Sequence, residues 1–350
     1  MAAYTTIDDP EAHYQTQLYT GNGAANHAIT LGADTDMQPD LVWIKNRDQA
    51  DAHCLFDAVR GATEVIHPNA NSTEATDADT LDSFTSDGFQ VDADVKVNTN
   101  TEDYVAWCWK GANGTASNTS GSLTTTVSAN TAAGFSIVTY TLGSGTGSST
   151  QGHGLGAKPD VIIWKSLANA YDWRSYWNTP SMLAGNSIIF SDTNALYDNV
   201  RPWNDTEPTS TLFTHGNNSW NGAGEGVAYC WTSIQGYSKI GEYTGNASTD
   251  GPFIYTGFRP AFVLIKRSSD GANQWSLSDN KRGVNGAIGT LTHDSTEQEY
   301  TPADQIDHLS NGFKIRQSAA ARNATGATYI YMAFAEAPFV NSNGVPCNAR

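Results

Sequence analysis

Pro39-Asp40-Leu41-Val42-Trp43-Ile44-Lys45, Pro159-Asp160-Val161-Ile162-Ile163-Trp164-Lys165 and Pro260-Ala261-Phe262-Val263-Leu264-Ile265-Lys266 are one segment written three times. Each begins at a proline, runs through apolar residues and stops at a lysine six positions on. Continuous apolar runs of this length are strands covered on both faces, or strands crossing a packed core. The surroundings recur too. Upstream stand Tyr19-Thr20-Gly21, Tyr140-Thr141-Leu142-Gly143 and Tyr243-Thr244-Gly245; downstream stand the aromatic segments Tyr104–Trp109, Val227–Trp231 and Tyr329–Phe334. The chain is therefore a tandem repeat of three copies.

From proline to proline the steps are 120 and 101 residues (39 to 159, 159 to 260). Stacked solenoids repeat every 20 to 50 or so residues, whereas these copies have the usual size of a domain. The expected organisation is three domains: 1–113, 114–235 and 236–350. The tract from Gly111 to Thr131 links the first two copies, and in it Leu123-Thr124-Thr125-Thr126-Val127 is an extra strand or an extended connector. Only Ser233 to Ser238 separates copies two and three, a stiff junction that should pack them together.

Turn signals support an all-β class. Ser83 to Val91 reads as an edge strand, an Asp-Gly turn and a second strand, and Leu309 to Ile315 repeats it around Asn-Gly. Leu212-Phe213-Thr214-His215-Gly216 is the nearest equivalent in copy two. Helical periodicity is scarce, with Asp48 to Arg60 and Thr301 to Leu309 the two segments that read as short helices or turns. The expected architecture is three tandem β-sandwiches, jelly-roll-like rather than barrels, with short helical or irregular insertions.

Only 16% of the 350 residues are charged, against about 25% in an average globular protein, and the net charge is −17. With 19 Lys and Arg spread thinly, a nucleic-acid partner is excluded. Cys108 and Cys230 occupy equivalent positions where copy three has Ala333, the mark of small core residues rather than of disulfide or zinc ligands. Met1-Ala2-Ala3-Tyr4 is not a secretory leader and no apolar run reaches a membrane span. The expectation is synthesis in a cytoplasm, without an export signal or membrane insertion.

Chemistry-bearing motifs are wanting. No Gly-x-Ser-x-Gly elbow, Walker loop or dinucleotide fingerprint occurs; Gly143-Ser144-Gly145-Thr146-Gly147 lacks the lysine that a phosphate loop needs. The pairs Asp34 and Asp36, Asp77 and Asp79, and Asp92 and Asp94 do not continue into a calcium loop, and His153 has no partner at ligand spacing. No catalytic residue, metal or cofactor is expected. The recurrent positions are turn, strand and core residues, with no recurrent acid for glycoside cleavage. Trp43, Trp107 and Trp164 lie on strands as core residues. Trp173, Tyr176, Trp177, Trp203 and Trp220 stand among Asn, Asp, Thr and Pro in copy two, and are the candidates for stacking on sugar rings or anchoring an interface, with packing under long loops the alternative.

Leu18-Tyr19-Thr20-Gly21-Asn22-Gly23, Gln38 to Arg47, Leu55 to Gly61, Ser83 to Phe89, Tyr104 to Lys110 and the closing Tyr329 to Phe339 resemble an uncharacterised domain family of tailed bacteriophages, frequent in marine and cyanobacterial phages. The resemblance covers most of the chain and brings no catalytic residues. It implies a virion structural protein often encoded near tail genes: a non-enzymatic protein on the particle exterior, assembled in the host cytoplasm, of tail-fibre or receptor-binding type. Its partners would be other virion proteins and a host-surface glycan. A capsid decoration protein is the alternative, and a polysaccharide depolymerase a third reading. A homotrimer and a single pseudo-symmetric chain are both compatible with three copies.

Overall fold

The computed structural model describes residues 4–145, 147–182, 186–198, 200–216, 222–271, 273–283, 285, 289–300 and 305–347. It is an all-β structure of several antiparallel sheets. In each copy the strand from the Tyr-Thr segment pairs with the aromatic closing strand, which pairs in turn with the proline-led strand. These trios are Tyr14–Thr20, Asp103–Trp109 and Leu41–Asn46; Phe135–Leu142, Gly224–Trp231 and Val161–Ser166; and Ser238–Thr244, Thr328–Pro338 and Phe258–Arg267. A fourth strand flanks each proline-led strand: Cys54–Asp57, Arg174–Trp177 and Ser276–Asp279. A smaller sheet accompanies each trio, and the Asp-Gly and Asn-Gly hairpins (Leu81–Thr85 with Gly88–Val91, and Ile306–Leu309 with Gly312–Ile315) belong to two of them. Their glycines are fixed by close approach. A Cβ on Gly88 would sit 2.1 Å from the Ile29 carbonyl oxygen, and one on Gly312 2.1 Å from that of Ile254.

Side chains alternate across a strand, and here the two faces serve two different cores. Val42 and Ile44, Ile162 and Trp164, and Val263 and Ile265 pack toward the smaller sheet of their own copy. Leu41 and Trp43, Val161 and Ile163, and Phe262 and Leu264 all enter one central cluster. The closing strands divide likewise, sending Val105, Trp107 and Trp109, Val227, Tyr229 and Trp231, and Ile330, Met332 and Phe334 to that centre. Trp109 touches both other copies, with ring centroids 6.2 Å from Trp231 and 5.6 Å from each of Phe262 and Phe334. The three large sheets thus enclose a core that no copy owns alone.

Equivalent backbone bonds tie the copies in a ring. The Glu74 amide donates to the Leu167 carbonyl at 3.1 Å, Leu196 to Ser268 at 3.2 Å and Glu299 to Arg47 at 2.8 Å. Each acceptor lies two residues beyond a repeat lysine, so copy one binds two, two binds three and three binds one. A head-to-tail contact that closes after three steps is a pseudo-threefold arrangement.

The segment between copies one and two is more than a connector: Ala116–Asn118 and Thr125–Asn130 add two strands to the edge of the copy-two sheet. The Pro-Asp pair has a matching role, since Asp40 accepts the Asn113 amide and Asp160 the Ser233 amide, each anchoring the chain as it leaves a copy. Two expectations need refinement. Asp48 to Arg60 holds a turn at 58–60 but no helix; Cys54–Asp57 is a strand because its residues alternate, Leu55 to the centre and Cys54 and Phe56 to the copy's own core. Thr301 to Leu309 contains the strand Ile306–Leu309, its first four residues lying outside the described ones.

Cys108, Cys230 and Ala333 are all fully buried in the outer cores. Replacing Cys108 or Cys230 by alanine should cost about 1 kcal/mol, whereas Phe334→Ala in the shared core should cost about 3–5 kcal/mol. Urea unfolding of the three variants checks this ordering.

Candidate functional site

The copy-two aromatics are placed by strand alternation. Trp173 immediately precedes the strand Arg174–Trp177 and lies at the seam with copy one, where its indole N–H donates to the carbonyls of His67 and Ala70 at 3.0 Å each. Trp177 enters the shared core beside Trp275 at 5.8 Å, while Tyr176 turns to the outer core beside Trp203 at 6.1 Å and donates its hydroxyl to Glu207. Trp203 stacks on His215. All four are at most 1% exposed, so the expected sugar platform is not presented to solvent. Alternation buries both faces of the segment, and the polar residues around it form its turns. Trp220 lies outside the described residues.

What the repeat does conserve is a set of polar groups inside the seams. Lys45, Lys165 and Lys266 are fully buried on the strand face that points to the centre. The Lys45 ammonium donates to the Gln49 carbonyl at 2.9 Å. Lys165 donates to Asn169 and Tyr171 of its own loop and to Asn71 of copy one; Lys266 donates to Asn273 and, across the seam, to Thr193 of copy two. Burial pushes all three pKa values down to about 8. That is below the unfolded value of about 10.4, so the buried charge costs stability at neutral pH, a cost relieved as pH rises between those values.

A second device recurs in copies one and three and was readable as Leu-x-Asp-x-x-Arg-Gly at 55–61 and 277–283. Asp57 pairs with Arg60 at 2.5 Å, and Asp279 with Arg282 at 2.6 Å. Each carboxylate also accepts a donor from another copy: the Tyr229 hydroxyl reaches Asp57 at 2.6 Å, and the Trp107 indole reaches Asp279 at 3.0 Å. Burial raises the Asp279 carboxyl, but Arg282 outweighs it and holds the group below its ordinary range. In copy two Trp177 takes the aspartate position, and Met332 the donor position of the strand that would face it. Both lie in the central cluster, so at this seam the position of the Asp–Arg device is filled by apolar packing.

Five of the eight histidines are interior groups as well. His153 is fully buried with its ring against the Thr209 carbonyl at 3.2 Å; His293 meets the Phe190 carbonyl at 2.7 Å, and His308 that of Pro260 at 2.9 Å. Burial lowers their pKa values to about 4, 3 and 4, and that of His215 to about 3. No cluster of three or more metal-binding side chains occurs among the described residues. The paired aspartates act locally instead: Asp94 caps the turn Val95–Asn98, and Asp92 accepts the Asn26 amide at 2.6 Å.

Among the described residues, three openings differ in the charge of their walls. A cleft of about 520 Å³ between copies one and two has Glu64, Glu74, Glu225 and a row of threonines (Thr124, Thr126, Thr139, Thr141) on its walls. A second, of about 260 Å³, lies between copies one and three beside Glu11, Lys281 and Glu336. The third, of about 560 Å³, runs along copy three beside Lys239 and Tyr255 and carries no Asp or Glu.

A family model described as a domain of unknown function (DUF7483) matches residues 9–338 in a single span across all three copies. No curated protein and no solved structure matches the chain.

Neutral buried histidines make stability fall in acid. Their folded pKa values lie below the unfolded value of about 6.5, so the unfolded chain binds the extra protons as pH drops from there toward 4, each group steepening the loss by about 1.4 kcal/mol per pH unit. Urea midpoints measured from pH 7.5 to 5 should fall steeply, and His293→Asn should flatten the slope. Asp279→Ala removes the acceptor of the Trp107 indole and leaves buried Arg282 only the longer Glu299 contact at 3.6 Å, and should cost about 3 kcal/mol, against no more than about 0.5 kcal/mol for Asp103→Ala at the half-exposed Arg47 contact. Thermal and urea unfolding separate the two.

Proposed function

The chain belongs to DUF7483, a family defined only as a domain of unknown function, and we propose that it is a non-enzymatic structural protein on the exterior of a tailed-bacteriophage particle, of tail-fibre or receptor-binding type. The observation that carries this reading is where the recurrent polar residues go. The repeat lysines, the Asp–Arg pairs and the buried histidines are spent on internal carbonyls, seam partners and core packing, the chemistry of a scaffold rather than of a turnover site. Each copy is best read as a two-layer, jelly-roll-like sandwich, three of them sharing one centre. Other virion proteins and a host-surface glycan are the proposed partners. The phage assignment itself rests on the motif resemblance, and the acidic, sparsely charged composition suits a crowded particle surface.

The pseudo-threefold ring favours a second reading, a capsid decoration protein, because one chain supplies the symmetry that a threefold position in a shell requires. Quantitative mass spectrometry of purified particles separates the two. A tail location predicts at most a few tens of copies per particle, and a decoration role on the order of hundreds. Complete absence from particles would sink both, and loss of host-capsule viscosity on incubation with the pure protein would overturn the non-enzymatic assignment.

A further inference from the structure

Large exposed aromatic side chains are few among the described residues, and two of them, Tyr4 at 56% and Tyr255 at 54% exposure, line the same opening. That opening is the acid-free groove of about 560 Å³ on copy three, where Gln235, Lys239, Thr256 and Phe339 complete the walls. Tyr255 ends the edge strand Phe253–Tyr255, and its ring projects from the sheet. The Lys239 ammonium lies 5.4 Å from the centroid of that ring and donates to the Tyr255 carbonyl at 2.7 Å. An ammonium has three donors, so hydrogens remain for a ligand. Partial burial disfavours the Lys239 charge with no nearby carboxylate to offset it, although the chain as a whole carries −17. The other two openings have glutamates in their walls; this one alone of the three would attract an anion.

We propose that this groove binds an acidic saccharide, with a uronate-type carboxylate on the Lys239 ammonium, a sugar ring against the exposed tyrosines, and a sugar hydroxyl on the Gln235 amide. Ligand sites combine apolar or aromatic surface with a few converging polar groups, and tyrosine offers a flat apolar face with a polar tip. The lone cation sets the charge, and the Gln235 side-chain amide suits a polyhydroxylated ring. The assignment deepens the receptor-binding reading and rests on it only for where the sugar would be found.

Titration of the full chain with trigalacturonate and with the neutral trigalactoside of the same linkage, by calorimetry and ligand-observed NMR, tests it. The acidic trisaccharide should bind at least about tenfold more tightly than the neutral one. Lys239→Met should abolish that preference, and Tyr255→Ala should weaken both sugars by about tenfold, with Tyr300→Ala, an exposed tyrosine that does not line the groove, as an unchanged control. Circular dichroism confirms that each variant is folded. Absence of trigalacturonate binding at millimolar concentration, equal affinity for the neutral sugar, or binding indifferent to both groove substitutions would overturn the proposal. Because the titration needs no particle, its failure is distinct from absence of the protein from virions, which overturns the broader reading alone.

Discussion

The large sheets of this chain are apolar on both faces, and a sheet with two apolar faces is stable only when a layer covers each. The smaller sheet of each copy covers one. The other is covered only by the equivalent faces of the other two copies, so Leu41, Val161 and Phe262 leave water together. At about 25 cal/mol per Å² of apolar surface removed from water, the centre is a principal source of stability. Three copies in one chain keep their mutual concentration fixed, so the association is intramolecular.

A centre made by three sheets must also dispose of the polar backbone at its rim. The repeat lysine ends each apolar run there and places a cation among loop carbonyls, which accept from it in place of water. In copies two and three the same ammonium reaches across the seam, joining loop order to ring closure. The Asp–Arg pairs do this deeper in the structure, where Asp57 and Asp279 each hold their own arginine and one donor from another copy. The copy-two seam replaces both polar partners together, with Trp177 and Met332. Replacing a buried pair whole is tolerated, whereas removing one member is costly.

Much of this was legible in the chain. The continuous apolar run from Leu41 to Ile44 announced a strand covered on both faces, the Asp-Gly and Asn-Gly turns placed their hairpins, and Ala333 opposite Cys108 and Cys230 identified a small core position. The origin of the second cover was not legible, because a doubly apolar strand looks the same whether its partner layer is local or a hundred residues away. The aromatics of copy two misled for a related reason. Their polar neighbours suggested open loops, yet Tyr176 and Trp177 are adjacent strand residues whose alternation sends one ring to each core. The Asp57 and Asp279 motifs recur in only two of the three copies, so the threefold repeat does not bring them out. The acid-free groove was not legible either, since Tyr4, Lys239, Tyr255 and Phe339 come together only through the fold.

If the centre is shared, the copies cannot be unlocked one at a time. Native-state hydrogen exchange of the closing-strand amides, Asp103–Trp109, Gly224–Trp231 and Thr328–Pro338, in the whole protein and in Phe262→Ala tests this most directly. A substitution confined to copy three should lower the opening free energy of all three strands by the same amount. Loss of protection in the copy-three strand alone, with the other two unchanged, would contradict it.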